Sequence, residues 1–285
     1  MQKIIGVLII IVCVFGGFVM AGGYLGTMWQ PAELMIILGA GAGALAIGNP
    51  NYVIAEMWHQ ARGVIVKRDE RKLYRELLSL MYHLLEQVRQ NGMRVLDEHI
   101  EEPHQSSLFL SYPEVLEYPK LVTFITDNFR LMAMGKINAH ELESMLEQEL
   151  EAIQEDMMHP SHAMHSTAEA MPGFGILAAV MGIVITMTNI DGDMAQIGIS
   201  VAHALVGTFL GIFFCYCVFD PLSAAMANQV KRELSAFECV KAMMVSYTAG
   251  KPALVAADSG RKLILLDVKP TFAEMEGWVT KQVFQ

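Results

Sequence analysis

The sequence predicts an all-α, multi-pass membrane protein with four transmembrane helices and a helical cytoplasmic domain between the second and third. Three observations carry this. Two runs, 171–190 and 194–219, contain no Asp, Glu, Lys or Arg, and each reaches the ~20 residues that a helix needs to cross a bilayer core. Two more apolar stretches, 4–32 and 34–55, flank Glu33 near the start of the chain, and 53% of the 285 residues are hydrophobic. Between these pairs lies a charged segment in which apolar residues recur every three or four positions. The expected division is 1–55 for the first two spans, 56–169 for the cytoplasmic domain, 170–220 for the last two spans and 221–285 for a cytoplasmic helical tail.

The first apolar stretch is a span and not a signal peptide. It is longer than an h-region of ~7–15 residues, and a second span follows almost at once. Orientation comes from Lys and Arg. The short connections near 27–30 and 189–193 carry none of the 20 basic residues, whereas Arg62, Lys67, Arg68, Arg71, Lys72 and Arg75 follow the second span and Lys231 and Arg232 follow the fourth. Both short loops are expected outside, and both termini and segment 56–169 inside.

In segment 56–169, Leu73, Leu77, Leu80, Leu84 and Val88 form an apolar stripe that Asn91-Gly92 terminates. An irregular stretch marked by Pro103, Pro113 and Pro119 follows. From 139 to 157 a second helix sets Leu142, Met145, Leu146, Leu150 and Ile153 on one side. A Ser/His/Pro linker then leads to the third span. The tail reads as a helix from about 221 to 247 and a short amphipathic end with Phe272, Met275 and Trp278.

The net charge of −10 argues against nucleic acid, which selects a basic face. Cys13, Cys215 and Cys217 fall in spans and Cys239 inside, so no disulfide framework is implied. His159, His162 and His165 lack the paired cysteines and fixed geometry of a metal centre. The glycines at 39, 41 and 43 fail the spacing of a dinucleotide loop. No catalytic, cofactor or metal site emerges, and the chain is not read as an enzyme.

Small residues at helical spacing mark three spans: Gly39 and Gly43; Gly175, Ala179, Gly182 and Thr186; Ala204, Thr208 and Gly211. Such faces let backbones approach closely in lipid. They suit packing among this chain's own helices, or receipt of a helix from another subunit along an ion path. Pro172 and Pro221 frame the last two spans, as helix punctuation or as hinges. The acid that an ion-moving membrane protein carries in its helices is missing from the last two spans, so a partner is expected to supply it. His203 is their one side chain that titrates near neutrality, and it sits near the outer end of its helix. Arg89, Asp97 and Glu98 belong to a mixed-charge patch, which is solvated surface or a docking face.

Four segments carry a family resemblance: FGGFVMAGGYLGTMWQPAEL at 15–34, LLSLMYHLLEQVRQNGM at 77–93, MPGFGILAAVMGIV at 171–184 and AHALVGTFLGI at 202–212. In order and spacing the chain resembles the A subunit of the bacterial flagellar motor stator (MotA), and is similar to the proton-driven and lateral-flagellar types. The resemblance implies an inner-membrane homopentamer around a dimer of a B subunit. That B subunit has a single Asp-bearing span and a peptidoglycan-binding region. Ion flow then drives the rotor switch protein. Cofactors are not implied. The resemblance also implies an ion-path and partner-helix face at Thr208, Ala179, Gly175, Gly182, Thr186 and Gly211. It places hinges at Pro172 and Pro221, and rotor contacts at Arg89 and at Asp97 or Glu98. Asp97 stands where the family usually has Glu. Ala179 stands where sodium-driven relatives carry Thr, which favours H⁺. The related ExbB/TolQ-like energisers of envelope transport are the alternative, but they have three spans.

The topology has a direct test. With cysteines placed singly at Thr27, Gly192, Ser106 and Ser259 in a background without native ones, an impermeant thiol reagent should label only the first two in intact cells. Labelling of position 106 in intact cells would reverse the orientation.

Overall fold

The computed structural model describes residues 2–66, 69–135, 137–188 and 194–280. Thirteen α-helices, two short 3-10 turns and one π-helical turn account for the regular structure of these residues, and no strand occurs among them. The second short loop, 189–193, lies outside the described residues, as do Lys67 and Arg68. The chain packs as two compact units, Met1–Lys67 with Met158–Gln229, and Arg68–Met157 with Val230–Gln285.

The first unit holds four helices long and apolar enough to cross a membrane. Helix α1 (Gln2–Met20) exposes Ile4, Leu8, Ile9 and Val12. A helix apolar all round, without protein around it, requires a lipid surrounding. Its inward contact is Phe15, set edge-on to Phe209 and Phe213 at centroid distances of 6.4 and 5.4 Å. Gly22, at φ +89°, turns the chain where an L side chain would be strained. Helix α2 (Pro31–Gly48) opens on Pro31, whose missing N–H costs nothing in a first turn. It ends earlier than the apolar stretch 34–55 suggests. Pro50 cannot continue the helix, and Asn49 Nδ2 donates to the Leu45 carbonyl at 3.0 Å. Helix α3 (Asn51–Gly63) then starts afresh.

The second unit is built on α4 (Glu70–Asn91), capped by Asp69, which accepts from the Lys72 amide. Its stripe of Leu73, Leu77, Leu80, Leu84 and Val88 is buried. Gly92, at φ +79°, ends it. Short helices α5 (Asp97–Glu101), α6 (Ser107–Leu110) and α7 (Pro113–Leu116) fill the irregular stretch. Helix α8 (Pro119–Met134) brings Phe124 edge-on to Phe237 at 5.4 Å. Ser106, suggested above as a labelling position, is buried and caps α6 by accepting from the Phe109 amide. Exposed Gln105 is the better probe.

Helix α9 (Ala139–Thr188) is continuous through Pro160 and Pro172, so the expected linker before the third span is helical. Each proline removes one backbone hydrogen bond, at about 3 kcal/mol or more in an isolated helix. Burial of Ala163, Met164, Ala168 and Met171 offsets that loss. On its earlier part Leu142, Leu146 and Leu150 are buried as expected, but Met145 is 47% exposed and stands off the core side. Helix α10 (Met194–Phe213) continues through a π turn, Phe214–Phe219, into α11 (Asp220–Thr248). Helix α12 (Ala253–Arg261) lies close to α11: a Cβ on Gly260 would stand 2.8 Å from the Cys239 carbonyl oxygen. Helix α13 (Phe272–Val279) opens on a Thr271–Glu274 capping box and buries Met275, while Phe272 is exposed. Arg232 joins Glu70 and Asp267, its Nε 2.7 Å from Glu70 Oε1 and its guanidinium 2.7 Å from Asp267.

Two histidines make the second unit sensitive to pH. His83 donates from Nδ1 to the Ser79 carbonyl at 2.6 Å and stacks on Tyr112. His99 Nδ1 lies 2.8 Å from Ser106 Oγ. Burial lowers both from the usual histidine value. The folded state therefore prefers neutral rings. This stability is complete above the unfolded value of ~6.5 and is lost as pH falls from there through the lower folded values. Melting curves followed by circular dichroism should show stability declining below about pH 6.5, before most carboxylates protonate. His83→Gln combined with His99→Gln should flatten that decline, and an unchanged pH profile would contradict the assignment.

Candidate functional site

The small-residue faces of α9 and α10 meet each other. A Cβ on Gly175 would stand 2.7 Å from the Gly207 carbonyl oxygen and 3.0 Å from Gly211 Cα. One on Gly211 would stand 2.6 Å from the Met171 carbonyl, and one on Gly182 would stand 3.3 Å from Ala204 Cβ. Gly175, Gly182 and Gly211 are thus spent on packing within the chain, the first of the two readings left open by spacing alone. Ala179 is buried beside this seam. Thr186 is buried too, and its Oγ1 donates to the Gly182 carbonyl at 2.9 Å. Thr208 is only half-buried. On α2 the situation differs, since among the described residues no other part of the chain lies within 4 Å of a Cβ on Gly39 or Gly43.

The last two spans hold no acid, as expected, but Glu33 of the second span packs against them. It occupies the first turn of α2, is 8% exposed, and its Oε2 has no hydrogen-bond partner among the described residues. A Cβ on Gly207 would stand 3.0 Å from that oxygen, so the carboxyl fills the notch left by the glycine. Gly207 lies midway along the uncharged run 194–219. Sequence order separates Glu33 from that run and makes it look like a break between two apolar stretches. The pairing of Pro31 at a helix start with an acid one turn in was the available signal. An ionised carboxyl buried without a partner is costly in a membrane-spanning unit, so the setting of Glu33 calls for an account.

The two framing prolines differ in setting. Pro172 lies inside α9. Pro221 stands one residue beyond the π turn Phe214–Phe219, in the first turn of α11, where a proline is tolerated. Beside it, Asp220 Oδ1 lies 2.9 Å from His165 Nδ1, and Glu169 lies 3.5 Å from His165 Nε2. His165 thus ties α9 to the start of α11.

In the second unit, Arg89 is exposed in the last turn of α4 and pairs with Glu86, its Nε 3.0 Å from Glu86 Oε2. That pairing holds the Glu86 carboxyl below its usual value. Asp97 and Glu98 are exposed in the first turn of α5, favoured there by the helix dipole.

Residues 4–92 match the family described as Motility protein A N-terminal, and residues 121–239 match the MotA/TolQ/ExbB proton channel family. The chain is 59% identical to Chemotaxis protein LafT of Vibrio parahaemolyticus, over 99% of each chain. It is 37% identical to Motility protein A of Salmonella typhimurium, over 97% of this chain and 94% of that one. The chain belongs to the motility protein A family. Its fold matches that of MotAB from C. jejuni (TM-score 0.71, 15% identity, 93% of this chain and 96% of that one). It also matches the flagellar MotAB stator complex from Bacillus subtilis (TM-score 0.67, 19% identity, 96% and 98%).

The α9–α10 seam gives a stability prediction. Gly175→Ala should lower thermal stability in detergent by about 1–3 kcal/mol, the usual cost of overpacking. Gly173→Ala, whose Cβ would meet no other part of the chain within 4 Å among the described residues, should not. Equal melting of the two variants would show that the seam tolerates a methyl group.

Proposed function

We propose that this chain is the A subunit of a flagellar motor stator that converts proton flow into torque on the rotor. The observation that carries the reading is identity of 59% over 99% of both chains to a chemotaxis protein of the family. Four candidate spans and the N-terminal match over 4–92 favour it over a three-span transport energiser.

In this reading the protein sits in the bacterial inner membrane with both termini inside. Five copies surround a B-subunit dimer, whose single span brings an essential Asp. The B helix meets the half-buried Thr208 edge of α10 near Ala179. Gly175, Gly182 and Gly211 contribute by letting α9 and α10 approach, and Thr186 by binding the Gly182 carbonyl. Each proton taken up or released by the partner Asp changes the stability of that packed interface. One charge crossing 100 mV supplies about 2.3 kcal/mol, which is comparable with the cost of holding the charge in the span. Pro172 and Pro221 are the hinges through which α9 and α11 bend. Arg89, with Asp97 or Glu98, contacts the rotor switch protein from segment 56–169. Exposure of all three supports this, and long-range steering between oppositely charged faces sets recruitment more than affinity.

The driving ion is H⁺, since Ala179 offers no hydroxyl toward the several oxygens that a dehydrated Na⁺ needs. The test is motility of cells whose only stator contains this chain and its native partner. Swimming or swarming should persist without Na⁺ and stop with a protonophore at neutral pH. Arg89→Glu should reduce torque or recruitment while leaving membrane assembly intact, with recovery on charge reversal in the rotor. Normal motility of Arg89→Glu, Asp97→Lys and the double variant would remove the rotor assignment.

A further inference from the structure

Glu33 is a carboxyl group that the cycle above does not use. Helices α2, α9 and α10 converge on it. The notch is so tight that a Cβ on Gly207 would stand 3.2 Å from Glu33 Cδ and 3.4 Å from Ala178 Cβ. Glu33 is 8% exposed, and its Oε2 has no hydrogen-bond partner among the described residues. Thr208 follows Gly207 directly and is half-open. On α10 the ionisable neighbour is His203, one turn outward on the same helix face as Gly207. Helix α9 has no ionisable side chain from Met171 to Thr188, and the 3-10 turn Leu25–Met28 has none, with Tyr24 beside it.

A metal cation in this notch would need several oxygen ligands, and Ala178 and Gly207 add no side-chain oxygen to the carboxyl. A proton needs a single acceptor. We propose that Glu33 is a proton-binding site of this chain, an uncharged carboxylic acid that exchanges its proton with the path beside Thr208. In the exchange an O–H bond forms on the Glu33 carboxylate with a proton given up by water from the outer side. The same bond breaks as the proton passes to water, or to the partner's carboxylate, at the Thr208 edge. Release toward the partner rests on the stator reading, whereas proton binding does not.

The full chain in lipid nanodiscs, without partner, tests the binding step by infrared spectroscopy at pH 7, well above the ordinary glutamate value of ~4.3. The wild type minus Glu33→Gln difference should contain a carboxylic-acid carbonyl band that shifts in D₂O. Gly207→Ala, which crowds Oε2, should move that band. A difference spectrum without the band overturns the proposal, whatever the motor does. Vesicles containing the complex with the B subunit test the relay. Glu33→Gln should lower proton flux by roughly a hundredfold, the low end of the loss on removing a positioned acid–base group. Glu33→Asp should recover part of the flux with an altered pH profile. Wild-type flux and pH dependence in Glu33→Gln would sink the relay. A band present in the chain, with no flux from wild-type complex, would uphold the proton site and defeat the stator reading instead.

Discussion

The close approach of Gly175 and Gly211 is the contact on which the membrane unit depends. Lipid tails are as apolar as leucine, so burying apolar side chains gives helices little reason to associate there. Dispersion between backbones does, provided nothing larger than hydrogen stands between them. The Gly175–Gly207–Gly211 contact supplies that proximity, and Gly182 against Ala204 extends it along the two helices. Once α9 and α10 are held this close, their large side chains are left to face elsewhere. Ile176, Leu177, Val180, Met181 and Val184 are accordingly exposed.

The other unit is stabilised differently. Its core around Leu77, Leu80, Leu84, Phe124, Phe237, Met243 and Met244 gains from removing apolar area from water, at roughly 25 cal/mol per Å². Its polar links sit at the margins, where Lys241 bridges Glu147 at 2.5 Å and Glu238 at 2.8 Å. Burial holds the Cys239 thiol up to about 12, so it remains an uncharged packing residue. A single chain therefore uses two sources of cohesion, and mutations in the two units report on different physics.

Much of this was legible in the residues. The period-3.6 stripe in α4, the Gly92 stop and the four apolar runs each have a local cause that the sequence displays. Three features were not legible because their causes are not local. Residues 158–170 look like a linker by their His, Ser and Pro content, but burial of Ala163, Met164 and Ala168 keeps them helical. Met145 matches the spacing of Leu142 and Leu146, yet the neighbouring helices do not reach it. Glu33 looked like punctuation between two stretches, because hydropathy gives the length of a span and not its depth beside another. The small-residue spacing on α9 and α10 was visible, but only coordinates show that these faces fill one another.

The π turn at Phe214–Phe219 leaves one surplus residue in an otherwise regular helix. Each α-helical residue turns the chain by about 100°, so everything beyond the surplus is rotated relative to an unbroken helix. Val206 and Leu210 before it, and Met226 after it, are all buried, and only the offset phase lets both parts of the helix present the right side. Loss of one residue from this turn would leave a smoother helix whose every downstream side chain points the wrong way. The irregularity is thus a phase setting, and length in this stretch is constrained more tightly than chemistry.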